Sequence, residues 1–100
     1  MTSIDPTRTI ERMASRLRSE GVEHPVAGAV ALAARGHARM APEAFADVAV
    51  LPIEVVQSAE AGSVAFGALP VAIGLYAGAT GADLMVLADL EAEWRRCAAR

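Results

Sequence analysis

The chain has 100 residues, 54% hydrophobic and 21% charged, and a net charge of −3 at pH 7. That length suits one domain, and so apolar a composition excludes intrinsic disorder, which needs low hydrophobicity and high net charge. The acidic balance provides no long-range attraction for nucleic acid, and a single cysteine, Cys97, excludes an intrachain disulfide and a cysteine-based zinc site.

Alanine supplies 23 of the hydrophobic residues, whereas only Phe45, Phe66, Tyr76 and Trp94 are aromatic. Such a core suits thin, closely packed helices better than a sandwich or barrel. In chain order, Asp5-Pro6-Thr7 is a helix start and Gly21 a stop, which predicts a helix over Arg8 to Glu20 with Ile10, Met13 and Leu17 as its apolar stripe. Arg8, Arg12 and Arg16 recur every four residues and form a row on another face. His24-Pro25 introduces a second helix, Val26 to about Arg39, in which Gly28 and Gly36 weaken the helix but let a neighbour approach closely. Ala41-Pro42-Glu43 starts a third, with Phe45, Val48 and Ala49 as its apolar face. Pro52 opens a fourth over Ile53 to Ala61, stopped by Gly62. A fifth is predicted from Phe66 or Gly67 to Tyr76, with Pro70 in its first turn or kinking it. After the linker Gly78 to Gly81, an amphipathic helix from Ala82 to about Ala98 places Leu84, Leu87, Leu90 or Glu91, and Trp94 at helical spacing. The expectation is an all-α fold, a compact bundle of five or six helices in one domain. Its parts are an N-terminal helix (1–22), a core (24–78) and a C-terminal helix (80–100).

Between Glu60 and Asp83 lie 22 residues without a charge, enough by length to span a bilayer. Five glycines, Pro70 and a mostly alanine apolar content favour a buried helix with flanking loops. A single-span membrane protein through residues 61–82 is the lesser alternative. The first twenty residues contain no secretory h-region, so a cytoplasmic protein is expected.

Two short helices joined by a tight turn, the second ending in glycine, describe a helix-turn-helix. Arg35, Met40-Ala41-Pro42-Glu43-Ala44-Phe45-Ala46, Leu51-Pro52-Ile53-Glu54-Val55-Val56 and Glu60-Ala61-Gly62 sharpen this reading. Over about residues 26–76 the chain resembles the Xre-type, lambda-repressor-like helix-turn-helix family. Met40 stands for that family's leucine, Glu43 and Ala46 match, Phe45 replaces a second leucine, and Glu60 and Gly62 match the end of its third helix. The resemblance implies a structural ion pair between Arg35 and Glu60, and packing of Phe45, Val48 and Val56 between the two helices. It also implies a contact surface, for double-stranded DNA or a partner, at Pro42, Glu43, Ile53, Glu54, Gln57 and Ser58.

The chain departs from that pattern where bases would be read. Pro42 replaces the usual glutamine, Glu54 repels phosphates, and Val50 occupies a turn position where glycine is usual. No basic residue occurs in the 55 positions between Arg39 and Arg95, so phosphate contacts fall to Arg8, Arg12, Arg16 and Arg39 or to the last helix. The leading expectation is a DNA-binding, transcription-regulator-like protein acting as a homodimer. The alternative is a helix-turn-helix converted to a protein-interaction module, meeting its partner through Leu51, Ile53 and Val55.

Catalysis is not expected. His24 and His37 have no acid, base or nucleophile at telling spacing, and no phosphate-binding glycine fingerprint occurs. Glu20, Glu23 and His24 could converge, but they flank a loop, so no metal, no cofactor and no small-molecule substrate are expected. Leu84, Leu87 and Trp94 look like more apolar surface than so small a bundle can hide, which predicts a dimer interface through the last helix.

Overall fold

All five prolines of the chain stand at helix starts in the computed structural model, which describes residues 5–98. Proline holds φ near the helical value and lacks only a donor that a first turn leaves unused, so each fixes where a helix begins. Pro6, Pro25 and Pro42 are the first residues of α1 (Pro6–Ser19), α2 (Pro25–Ala38) and α3 (Pro42–Ala49). Pro52 and Pro70 immediately precede α4 (Ile53–Glu60) and α5 (Val71–Gly78). Two aspartates cap the terminal helices. Asp5 accepts from the Thr7 N–H at 3.0 Å, and Asp83 accepts from the N–H groups of Met85 and Val86 at 3.1 and 3.2 Å at the start of α6 (Leu84–Ala98).

The described residues form an all-α bundle, and one core draws side chains from all six helices: Ile10, Val30, Phe45, Val56, Ile73 and Leu87 among them. Helix α2 is its centre. Pro25 through Ala31 and Ala34 are buried, and α1, α4, α5 and α6 pack around it. Such all-round burial requires small side chains. At the tightest crossing a Cβ on Gly28 would lie 3.3 Å from the Cα of Gly62, and the His24 N–H donates to the Gly62 carbonyl at 2.9 Å. Gly62 is also left-handed, with φ of 71°, and a Cβ there would collide with the side chain of Val22.

Three expectations are corrected. The fifth helix is shorter and later than predicted: a 3-10 turn covers Phe66–Ala68, and Leu69, forced extended by Pro70, separates it from α5. The same break disposes of a span through 61–82. Its one α-helix has eight residues, about 12 Å of rise against about 30 Å of bilayer core, and no helix among the described residues is long and apolar enough to cross a membrane. Finally, Leu87 is not an interface residue. It is fully buried in its own domain, Leu84 and Trp94 pack against the same core, and the Arg18 guanidinium covers the Trp94 ring at 4.5 Å. Leu84 and Trp94 keep part of their surface exposed, so of the three residues only Leu87 is removed from the expected dimer contact.

Helices α2 and α3 end on left-handed residues that are not glycine, Arg39 and Val50, both with φ of 56°. At Val50 the N–H of Leu51 closes back on the Ala46 carbonyl at 2.9 Å, and that of Val50 on Asp47 at 3.2 Å, a Schellman ending usually made by glycine. A β-branched residue is strained there by about 1–2 kcal/mol. Val50 is 87% exposed, so its side chain regains nothing by packing. Val50→Gly is therefore expected to raise stability by about 0.5–1 kcal/mol after the extra chain entropy of glycine is charged against the relieved strain. A urea midpoint that moves up with an unchanged slope is the expected reading; an unmoved or lower midpoint refutes the strain.

Candidate interaction face on α3 and α4

Arg35, late in α2, locks this region. Its Nε donates to Glu60 Oε1 at 2.8 Å, and Nη2 lies 2.8 Å from the same oxygen. Its Nη1 donates to the Met40 carbonyl at 3.2 Å. One planar group thus joins the end of α2, the entry to α3 and the end of α4, a three-way hold that the point charge of lysine cannot reproduce. The pair is partly shielded, with side-chain exposures of 27% and 12%, so removing one partner alone strands a half-buried charge.

Phe45 and Val56 fill the wedge between α3 and α4, and Phe45 meets Tyr76 of α5 edge-to-face with ring centroids 5.1 Å apart. Val48 does not join them; it is 51% exposed. The inward face of α3 is Pro42, Phe45, Ala46 and Ala49, and Val48 falls about 100° away from its centre. The connection between the helices is three residues, Val50 to Pro52, so the two are held at a fixed relative orientation.

The outward face then follows residue by residue. Glu43, Glu54, Gln57 and Ser58 are exposed, while Pro42 and Ile53 are half-buried, Ile53 packing against the core. Leu51 and Val55 are half-buried as well. Sequence reasoning missed three members. Asp47 is exposed one turn beyond Glu43, and Val48 and Val50 are exposed as well. The signal for Val50 was present, since a valine where glycine is usual must either strain the turn or remodel it. No basic side chain occurs in the sequence of the unit; Arg39, exposed at the end of α2, directly precedes it.

Arg8, Arg12 and Arg16 are all exposed on α1, a helix that packs on α2 and α6. The basic row and the α3–α4 face therefore belong to different parts of the bundle. Of the acidic residues considered as metal ligands, Glu23 lies 3.6 Å from His24 Nε2 and Glu20 is exposed at the end of α1. No cluster of three His, Cys, Asp or Glu side chains able to hold a metal occurs among the described residues.

Fold and face define a small all-helical protein with a braced two-helix unit that presents an acidic and apolar surface. No family model, curated protein or solved structure matches this chain.

Cutting the brace tests the mechanical role of Arg35. Glu60→Ala removes the acceptor of two guanidinium nitrogens and leaves a half-buried cation, which is expected to cost about 2–3 kcal/mol. Arg35→Lys is expected to lose at least half as much. Denaturant unfolding checks both, and a lysine variant as stable as the parent would show that simple charge suffices.

Proposed function

We propose that the chain is a repressor-like helix-turn-helix protein whose α3–α4 face binds another protein instead of reading DNA. The observation that carries this is the composition of the exposed surface of α3, α4 and the turn between them: Glu43, Asp47 and Glu54 are exposed there, as are Val48 and Val50, without a basic side chain. A duplex presents dense negative charge, and affinity for it rests on several cationic contacts. Three carboxylates repel that charge, whereas exposed valines gain by leaving water. The partner that fits is a protein surface with apolar side chains at its centre and Arg or Lys at its rim.

DNA binding stays as the second reading, because specific features favour it. The Arg35–Glu60 pair and the left-handed turn residue at 50 are what the resemblance to the Xre-type family implies. Arg8, Arg12, Arg16 and Arg39 are exposed and available to phosphates.

The two readings separate in one titration. Fluorescence anisotropy with mixed-sequence duplex DNA at low salt is expected to stay flat to tens of micromolar protein. A salt-sensitive binding curve would overturn the protein-interaction reading. Glu54→Arg adds a second check: on the proposed reading it leaves the DNA signal flat, whereas a recognition helix in a groove would gain affinity from it.

A further inference from the structure

A second surface of the same chain has the chemistry that the α3–α4 face calls for. An open cavity of about 310 Å³ lies between α1 and α2, walled by Pro6, Ile10, Met13, Leu32, Ala33 and the exposed Gly36. Its hydroxyls are those of Thr9 and Thr80, and both already donate to backbone carbonyls, of Asp5 at 3.1 Å and of Ala77 at 2.6 Å. The wall therefore favours an apolar occupant, which gains by leaving water.

Positive charge flanks this cavity. Arg12 stands three residues after Thr9 and Arg16 three after Met13, a spacing at which side chains on a helix are neighbours. Both arginines are exposed, and neither has a carboxylate within 4 Å among the described residues. The acidic groups of this region are committed elsewhere. Asp5 caps α1 by accepting from the Thr7 and Arg8 N–H groups, and Glu11 falls about 160° around the helix from Met13.

We propose that this cavity receives the α3–α4 turn of a second copy of the chain. Val50, 87% exposed, and Val48, 51% exposed, leave water in it, while Arg12 and Arg16 meet the carboxylates of Glu43, Asp47 and Glu54. Volume agrees, since about 150 Å³ holds one benzene, and twice that accommodates the two isopropyl groups. The inference rests on the reading of α3–α4 as a protein-binding face and names its partner. Because the two surfaces differ and belong to different parts of the bundle, the contact is head-to-tail. Each pair of molecules keeps one unused cavity and one unused turn, so the assembly grows past the dimer until a ring closes or the chain stays open.

Sedimentation of the purified protein is expected to show a mass that rises with concentration, with Kd on the order of 10–100 μM for so small a contact. Two variants divide the interface. Val50→Asn removes the apolar side chain and places a residue that tolerates the left-handed turn. Gly36→Glu puts a carboxylate at the cavity, at an exposed helical position where a Cβ meets nothing within 4 Å. Each variant alone is expected to be a monomer. Mixed in equal amounts they are expected to form a heterodimer that grows no further, the intact cavity of the first taking the intact turn of the second. Should circular dichroism show either variant unfolded, Arg12→Glu, at an exposed position, replaces it and is expected to weaken association of the otherwise unaltered chain about tenfold or more. A parent chain that stays monomeric at several hundred micromolar overturns the inference and leaves the α3–α4 face to a different protein, which the DNA titration tests separately. Association that survives Gly36→Glu also overturns it, placing the contact on another surface such as the exposed Val71 and Leu75 of α5. A mixture of the two folded variants that stays monomeric does the same.

Discussion

The close approach of α2 to the end of α4, backbone against backbone at Gly28 and Gly62, is the constraint on which the rest of the structure depends. It explains why α2 has to be thin. A helix with eight buried residues presents every side to a neighbour, and alanine and glycine let α1, α4, α5 and α6 all reach it. Gly62 serves two needs at one residue, ending α4 in the left-handed conformation and leaving room for Val22 and α2. With α4 anchored at its C-terminal end, Arg35 is near enough to hold Glu60, and its remaining reach fixes the entry to α3. The outward face is therefore set by a helix crossing on the opposite side of the unit.

Charge is distributed to match. Basic side chains sit on α1, at the end of α2 and on the last turns of α6, while the unit from α3 to α5 carries only acidic ones. The single basic group that enters the braced unit, Arg35, is neutralised by Glu60. A net charge of −3 understates this separation, because the same total could be spread evenly. The charge is local: exposed arginines on α1 in one part of the bundle, and exposed carboxylates and valines on α3, α4 and their connection in another.

Helix starts were legible because proline acts locally: a ring that fixes φ needs no tertiary context to be read, and four of the five stand where expected, while Pro70, read as lying within a helix begun at Phe66 or Gly67, instead precedes α5. Arg35 and Glu60 were legible only through the resemblance, since an arginine and a glutamate 25 positions apart are common in any sequence. What stayed hidden depends on which neighbour a face meets. Leu84, Leu87 and Trp94 read correctly as an apolar seam, but periodicity does not say whether a seam is covered by its own domain or by another. Val48 was misplaced because α3 has only eight residues, too few for its pattern to fix the inward direction within a residue or two. Glu91 was visible as a carboxylate at an apolar position; the burial of its Oε1 without a hydrogen-bond donor required the packed neighbours to be seen.

Val50 joins the backbone to the proposed function. In the folded chain it is unfavourable twice over, as a β-branched residue in the left-handed region and as an apolar side chain 87% exposed. Glycine would remove the first cost and a polar residue the second, yet the residue present accepts both. The Schellman hydrogen bonds at this turn are made by backbone groups alone, so they do not require a valine at position 50. A protein partner covering the side chain would return about 1.5 kcal/mol of transfer free energy, comparable to the strain of about 1–2 kcal/mol. Groove recognition offers no such return beside Glu43, Asp47 and Glu54, where phosphates would be repelled before the valine could be buried. The strained turn and the acidic rim are thus reconciled by the same kind of partner, one that brings apolar side chains to Val50 and positive charge to its surroundings.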